Sequence, residues 1–374
     1  MRILYLTLNP NRTSTTVPLE GWLRLLPGKG LQPVLASDRL GALHEWAVEQ
    51  GIPSYHIPLP FPRKFWPWKF LRSLWQLRRL VSRYQVELIH CNEQDIYPIG
   101  QYLGRLCGLP VVVSVHFTME RGFCEWAFGK TRSPRRMFFI SRGNLEACRP
   151  GVAGVVPDSA WRLLYNGLDL DKFAPDASLR QQFRRQHNVD AHLVLGVACA
   201  LRPRKQLEHL FQAAARLTDL PVKVVVAGGP PRVPILEEEG YDEKLMQQGK
   251  ELLGDRLIYL GRLNELRSFY NGLDLFVNTS REEACSISVL EALSCGCPVV
   301  GYASKSVDEQ VLPCGGEIVE QDHVDQLVDA LRGWLSDPGR LAAGRTGARK
   351  RAEDSFDIRK ISIQLWDEYQ GLRN

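Results

Sequence analysis

Two glutamates eight residues apart, Glu283 and Glu291, frame the part of this 374-residue chain with the most chemistry in it. The segment reads Asn278-Thr-Ser-Arg-Glu-Glu-Ala-Cys-Ser-Ile-Ser-Val-Leu-Glu291-Ala-Leu-Ser-Cys-Gly-Cys-Pro-Val-Val300. It predicts a strand, a polar loop, and a helix stopped by Gly296 with Pro298 beyond it. If Ser286 caps that helix, the amides of Ile287, Ser288 and Val289 face outward, and the helix dipole makes a seat for a diphosphate. Glu291, about one turn inside the helix, is placed to accept hydrogen bonds from hydroxyls such as those of a nucleotide ribose. Glu283, on the loop, is placed to reach a sugar. The plain alternative is one glutamate in a surface loop and another on a helix face.

A second group lies in Ala198-Cys-Ala-Leu-Arg-Pro-Arg-Lys-Gln206, where Arg202, Arg204 and Lys205 follow an apolar strand. Cations at a strand's carboxyl end suit a diphosphate, and a solvated basic turn is the alternative.

These residues need a scaffold, and short apolar runs alternating with amphipathic ones supply it. Ile3–Leu8, Val34–Ala36, Val86–Cys91, Val111–Val115 and Met137–Ile140 read as strands. Val194–Cys199, Val222–Ala227, Leu257–Leu260, Leu275–Asn278 and Pro298–Gly301 repeat the pattern. Two doubly wound α/β domains with parallel sheets follow, and ligands of such sheets bind beyond the strands' carboxyl ends, in a cleft where two domains face each other. The boundary falls near Tyr165-Asn166-Gly167-Leu168-Asp169, giving domains over 1–170 and 171–357. A last helix, with Ile361, Leu365, Trp366 and Tyr369 on one face, runs over 358–374 and is expected to pack back across the junction.

Composition agrees with a folded, non-fibrous protein: 44% hydrophobic and 24% charged residues. Residues 1–170 carry 21 Lys and Arg against 12 Asp and Glu, a surplus of nine, so with a chain total of +5 the remainder is negative by four. The first domain is thus expected to face something anionic, phosphate or lipid headgroups, with nucleic acid as the competing partner. No helix-turn-helix, zinc-finger or ribonucleoprotein motif supports nucleic acid, and none is expected. The nine cysteines are scattered without a CxxC pair, which predicts reduced core residues and no zinc site. The N-terminus reads as a strand rather than a secretory leader, and no apolar run is long enough to span a bilayer, so the expected location is cytoplasmic.

Glu283, seven residues, Glu291, then Ala-Leu-x-x-Gly-x-Pro-Val-Val resembles the signature of the retaining GT-B glycosyltransferases of family four, from about Val194 to Val311 most strongly. The resemblance implies the GT-B fold and nucleotide-sugar binding by the second domain, with the acceptor on the first. It implies that Glu283 contacts the donor sugar and Glu291 the ribose, with the diphosphate at Ser286, Ile287 and Ser288. Lys205 aligns with the family's lysine, whereas the family's arginine position is Ala200, leaving Arg202 or Arg204 to replace it. These cations would stabilise the leaving nucleoside diphosphate without a metal or other cofactor. Asp169 and Asp171 have Asp-x-Asp spacing, but Asn166-Gly167 and Phe173 identify their segment with the family's interdomain element, so they read as structural.

In the first domain, His116 ends the Val111–Val115 strand and matches the family's histidine near the donor sugar, which implies a polar contact to that sugar or to the acceptor. His90 also ends a strand and reads as structural. The loop Pro10-Asn-Arg-Thr-Ser-Thr-Thr-Val17 lacks the two glycines common in the family, and Thr15 and Thr16 are the residues expected to offer hydroxyls instead. Between Phe61 and Tyr84, Arg63, Lys64, Lys69, Arg72, Arg78, Arg79 and Arg83 interleave with Trp66, Trp68, Phe70 and Trp75, with no acidic residue. That composition suits peripheral contact with a membrane surface or a lipid-linked diphosphate, and a helix packing its aromatics on the sheet is the alternative.

The expected activity is therefore retaining transfer of a hexose, with UDP-glucose favoured as donor, to a saccharide or lipid-linked acceptor in polysaccharide biosynthesis. A nucleotide-sugar epimerase of the same fold and a non-catalytic sugar-nucleotide-binding protein are the rivals.

Overall fold

The computed structural model describes residues 1–9, 11, 13–60, 67–129, 133–231 and 236–372. The chain divides into two compact units, Met1–Gly167 with Ile358–Asn374, and Leu168–Asp357.

The strands of the first unit are β1 (Arg2–Thr7), β2 (Gln32–Ser37), β3 (Ser54–His56), β4 (Leu88–Cys91), β5 (Val111–Val115), β6 (Arg136–Phe139) and β7 (Trp161–Leu163). They form a parallel sheet in the order β3-β2-β1-β4-β5-β6-β7, so the winding reverses between β1 and β4. Both faces are buried. Leu4, Leu6, Val113 and Val115 pack into one apolar layer, and their sequence neighbours Ile3, Tyr5 and Val112 into the other. Two buried faces explain why these strands read as unbroken apolar runs.

The last helix, Ile358–Gln370, belongs to this unit, where Ile358, Ile361, Leu365 and Tyr369 join the second layer beside Trp22 and Phe138. The buried Tyr369 hydroxyl of this helix is satisfied: Oη lies 2.5 Å from His90 Nδ1 and 3.2 Å from Tyr5 Oη. The other His90 nitrogen lies 2.9 Å from Ser114 Oγ. Burial pushes the His90 imidazole down to about 3, and with both nitrogens engaged it is part of the core. At the rim Glu368 accepts from Arg136 Nε at 2.7 Å and Arg162 Nε at 2.8 Å.

The second unit holds β8 (Leu193–Ala200), β9 (Val222–Gly229), β10 (Leu257–Gly261), β11 (Leu275–Asn278), β12 (Val299–Tyr302) and β13 (Gly316–Val319). Their order is β10-β9-β8-β11-β12-β13, parallel throughout, with the reversal between β8 and β11. At the amino end of β11, Asp274 accepts from Arg180 Nη2 at 2.6 Å, Arg184 Nη1 at 3.1 Å and the Val194 amide at 2.8 Å. Burial alone would raise this carboxyl, but the Arg180 and Arg184 guanidiniums hold it below its ordinary value. Asp169, expected to be structural, accepts from the amides of Asp171 and Lys172, both at 3.1 Å, and so shapes its own turn.

The helix Pro67–Tyr84 buries Phe70, Ser73, Leu77, Leu80 and Val81. Trp68 and Trp75 on its other face are 74% and 56% exposed, beside exposed Arg72, Arg78 and Arg79. Of the aromatics in this segment, Phe70 therefore packs on the core while these two tryptophans do not. Arg63, Lys64 and Trp66 lie outside the described residues.

Candidate functional site

Strands β8 and β11 are neighbours at the reversal of the second sheet, and the loops leaving their carboxyl ends are stitched together. The Thr279 hydroxyl donates to the Lys205 carbonyl at 2.8 Å, and the Arg281 amide to the Arg204 carbonyl at 2.9 Å. This lacing brings the ammonium of Lys205 onto the carboxylate of Glu283, 78 residues further along the chain, as an ion pair. Their side chains are only 12% and 10% exposed, which strengthens the attraction relative to a surface pair. Ser306 Oγ donates to the Glu283 carbonyl at 2.7 Å and fixes the loop from a third side.

Four residues beyond Glu283, the helix Ile287–Ser294 begins. Ser286 occupies the N-cap position, but its hydroxyl lies 3.1 Å from Ser288 Oγ and makes no capping bond to the backbone. What holds Ser286 is Gln310, which accepts from its amide and donates to its carbonyl, each at 3.1 Å. The first turn, with the amides of Ile287 and Ser288, is thus shaped without a side-chain cap, and its dipole presents partial positive charge beside Glu283. Glu291, one turn in, accepts from the buried Tyr270 hydroxyl at 2.7 Å. Burial, and then the nearby Glu291 charge, push that phenol well above its ordinary value.

Arg202 is not part of this group: its guanidinium grips Glu238 through two bonds of 2.7 and 2.8 Å. Arg204 lies against the β11 loop, Nη1 donating to the Glu282 carbonyl at 3.3 Å. A cavity of about 610 Å³ in this unit sits at the other end of the helix, lined by Cys295, Gly296, Arg180 and Arg345, away from Glu283.

The first unit has its own polar group at the equivalent place, the carboxyl ends of β1, β4 and β5. Thr15 and Thr16 open the helix Thr16–Leu25. Thr15 Oγ1 accepts from Asn9 Nδ2 at 3.1 Å, and Thr16 Oγ1 donates to the Asn11 carbonyl at 2.7 Å, so both hydroxyls are engaged within the loop. His116 is 2% exposed; its amide donates to Gln94 Oε1 at 3.1 Å, and neither ring nitrogen makes a well-formed hydrogen bond among the described residues. Burial pushes its imidazole down to about 4, opposed in part by the Asn92 backbone beside it.

Sequence reasoning missed the neighbours of His116. Glu93, directly after β4, is buried and accepts from Thr7 Oγ1 at 2.7 Å, the Leu8 amide at 3.1 Å and Asn92 Nδ2 at 3.1 Å. Burial pushes its carboxyl up to about 7, against the pull of those donors. The signal was present: Asn92-Glu93-Gln94, three polar residues straight after a buried strand at a sheet's reversal. Gln310 and Tyr270, which steady the second site, carry no comparable mark.

Among the described residues no three His, Cys, Asp or Glu side chains converge as a metal site, and no helix is long and apolar enough to cross a membrane. All nine cysteines are free thiols.

Residues 180–351 match the family described as Glycosyl transferases group 1, and residues 19–191 match the Glycosyl transferase 4-like domain. The chain is 28% identical over 319 residues to a GDP-mannose-dependent alpha-(1-6)-phosphatidylinositol monomannoside mannosyltransferase of Mycolicibacterium smegmatis, covering 80% of each. It is 23% identical to a UDP-Gal:alpha-D-GlcNAc-diphosphoundecaprenol alpha-1,3-galactosyltransferase of Escherichia coli, over 92% of this chain and 90% of that one. Among solved structures, Anabaena HepE in complex with UDP-glucose superposes with a TM-score of 0.84 at 20% identity, over 99% of this chain and all of the other. WaaG, a glycosyltransferase involved in lipopolysaccharide biosynthesis, gives 0.72 at 14% identity over 98% of each chain.

Proposed function

The chain belongs to the group 1 glycosyltransferases, with the GT-B fold, and from that premise we propose that it moves a hexose, with retention of configuration, from a nucleotide sugar to a saccharide or lipid-linked acceptor in polysaccharide biosynthesis. The observation that carries the reading is the buried Lys205–Glu283 pair beside the first turn of the Ile287–Ser294 helix. A ligand with a diphosphate and a sugar answers both halves of that pair: phosphate oxygens compete for the ammonium, and a sugar hydroxyl takes its place on the carboxylate. The uncapped helix turn adds amide donors for the same phosphates. As the glycosidic bond breaks, negative charge grows on the leaving diphosphate, and Lys205 with those amides is where it is stabilised. The departing phosphate then takes the acceptor's proton, so no protein nucleophile is assigned. Glu291 binds the ribose, and His116 contacts the sugar or the acceptor.

For the donor, UDP-glucose has the support of fold likeness to HepE. GDP-mannose has the support of the sequence relatives, at higher identity, and is the first donor to test. The first unit is proposed to take the acceptor, with Trp68, Trp75 and the arginines around them resting on a membrane surface. Sedimentation with vesicles containing anionic lipid is expected to carry the protein down, and neutral vesicles to leave it in solution.

The test of the activity is thermal stabilisation and product release with GDP-mannose, UDP-glucose and UDP-galactose, on the native protein and Lys205→Ala. Stabilisation by one of them, weakened at least tenfold in apparent affinity by the substitution, is the expected outcome; indifference to all nucleotide sugars overturns the reading.

A further inference from the structure

The polar group of the first unit has a chemical character of its own. Asn92 is fully buried, and its amide orientation is settled by its partners: Nδ2 donates to the Thr15 carbonyl at 3.0 Å and to Glu93 Oε1 at 3.1 Å. That leaves Asn92 Oδ1 with no hydrogen-bond partner among the described residues, and the ring nitrogens of the adjacent His116 make no well-formed hydrogen bond, the Asn92 backbone being the polar group beside them. Buried polar atoms without partners are rare, and three in one place call for a ligand. Together they offer two acceptors, the amide oxygen and one imidazole nitrogen, and one donor, the other imidazole N–H.

Among the described residues the partners of this cluster are Thr7, Leu8, Thr15 and Gln94, none of them cationic, and the ionisable group bonded to Asn92 is the Glu93 carboxyl. Among the described residues a phosphate finds no countercharge there and meets a carboxyl. Two acceptors and one donor, all uncharged, instead complement adjacent hydroxyls on a ring.

We propose that Asn92 and His116 together read the hydroxyls of an uncharged sugar ring, with Asn92 a specificity-determining residue. This rests on the sugar transfer proposed above. Either the donor's hexose or the acceptor's terminal sugar has the required chemistry, and the two are separated by substrate variation. A site that pairs a substrate hydroxyl rejects the analogue lacking it, because the protein's own groups are then left unpaired.

The experiment measures kcat/KM for the native protein and Asn92→Ala with GDP-mannose or UDP-glucose and octyl glycosides as acceptors. It is then repeated with monodeoxy versions of the donor hexose and, separately, of the acceptor sugar. The expected result is that the native protein rejects one monodeoxy compound by about tenfold or more, and that Asn92→Ala loses that preference while binding UDP or GDP as before. The series in which this occurs names the ring. His116→Ala, which removes no well-formed side-chain hydrogen bond, is the second variant should Asn92→Ala fold poorly, and is expected to flatten the same series. Transfer that proceeds with no monodeoxy compound rejected, or with the preference intact in both variants, overturns the assignment and leaves the transferase reading standing. Failure of the native protein to use any nucleotide sugar overturns both.

Discussion

The two units place polar residues at the same topological position, the reversal of a parallel sheet, and equip it in opposite ways. In the second unit the group is charged and self-paired: Lys205 on Glu283, with a helix turn alongside. In the first it is uncharged and unpaired: Asn92 Oδ1 and the His116 ring, next to a carboxyl that burial pushes up to about 7. A charged pair at low exposure is held ready for a ligand that itself carries charge. Orphaned neutral groups call for hydroxyls. One architecture therefore supports two kinds of recognition, and the residues at the strand ends decide which.

The sharpest contrast to the Lys205–Glu283 pair is the carboxylate that only holds structure. Asp274→Ala strands three arginines around a buried position and is expected to cost about 3–5 kcal/mol of stability, read by denaturant unfolding of the second unit. Because the Asp274 carboxyl is held below its ordinary value, its contribution is present near neutral pH and fades as pH falls through that lowered range. Glu283→Gln keeps the shape and removes the charge. It is expected to reduce turnover about 100-fold, near 3 kcal/mol on the barrier, with a smaller change in melting temperature. If Glu283→Gln unfolds the protein while turnover per folded molecule is unchanged, the distinction between the two carboxylates collapses.

In the first unit, Glu93 titrates in the opposite sense. Its folded value, about 7, lies above its ordinary value, so the unfolded chain releases the proton first and stability falls as pH rises from about 4.5 to 7, by about 3 kcal/mol at most. Glu93→Gln removes that dependence, and its unfolding free energy relative to the native protein should improve across this window. A parallel pair of pH profiles would show that Glu93 is ionised at no cost. The smallest expected effect belongs to Arg202→Ala, whose partner is the partly exposed Glu238. Donor affinity should change by less than about tenfold, since partly exposed pairs contribute little. A loss comparable to that of Lys205→Ala would make Arg202 the family's missing arginine after all.

Strands buried on both faces, such as β5 and β9, declare themselves as apolar runs, and from them two parallel α/β sheets were readable. The edge strands β3 (Ser54–His56) and β7 (Trp161–Leu163), and β13 (Gly316–Val319), were not, because three or four half-exposed residues carry no periodic signal. The glutamates at positions 283 and 291 and the lysine at 205 stood out through local spacing and residue type.

Partnership was a different matter. That Arg202 turns to Glu238, that Gln310 rather than a serine hydroxyl holds the start of the Ile287–Ser294 helix, and that Asn92 and Glu93 close over the β1 loop all depend on contacts between residues 24 to 85 positions apart. Sequence alone determined which chemistry stands at the strand ends, because strand and helix periods are local. The tertiary structure decided which of those groups spend their hydrogen bonds on each other and which keep them for a ligand, because burial and pairing are set by what the fold brings alongside.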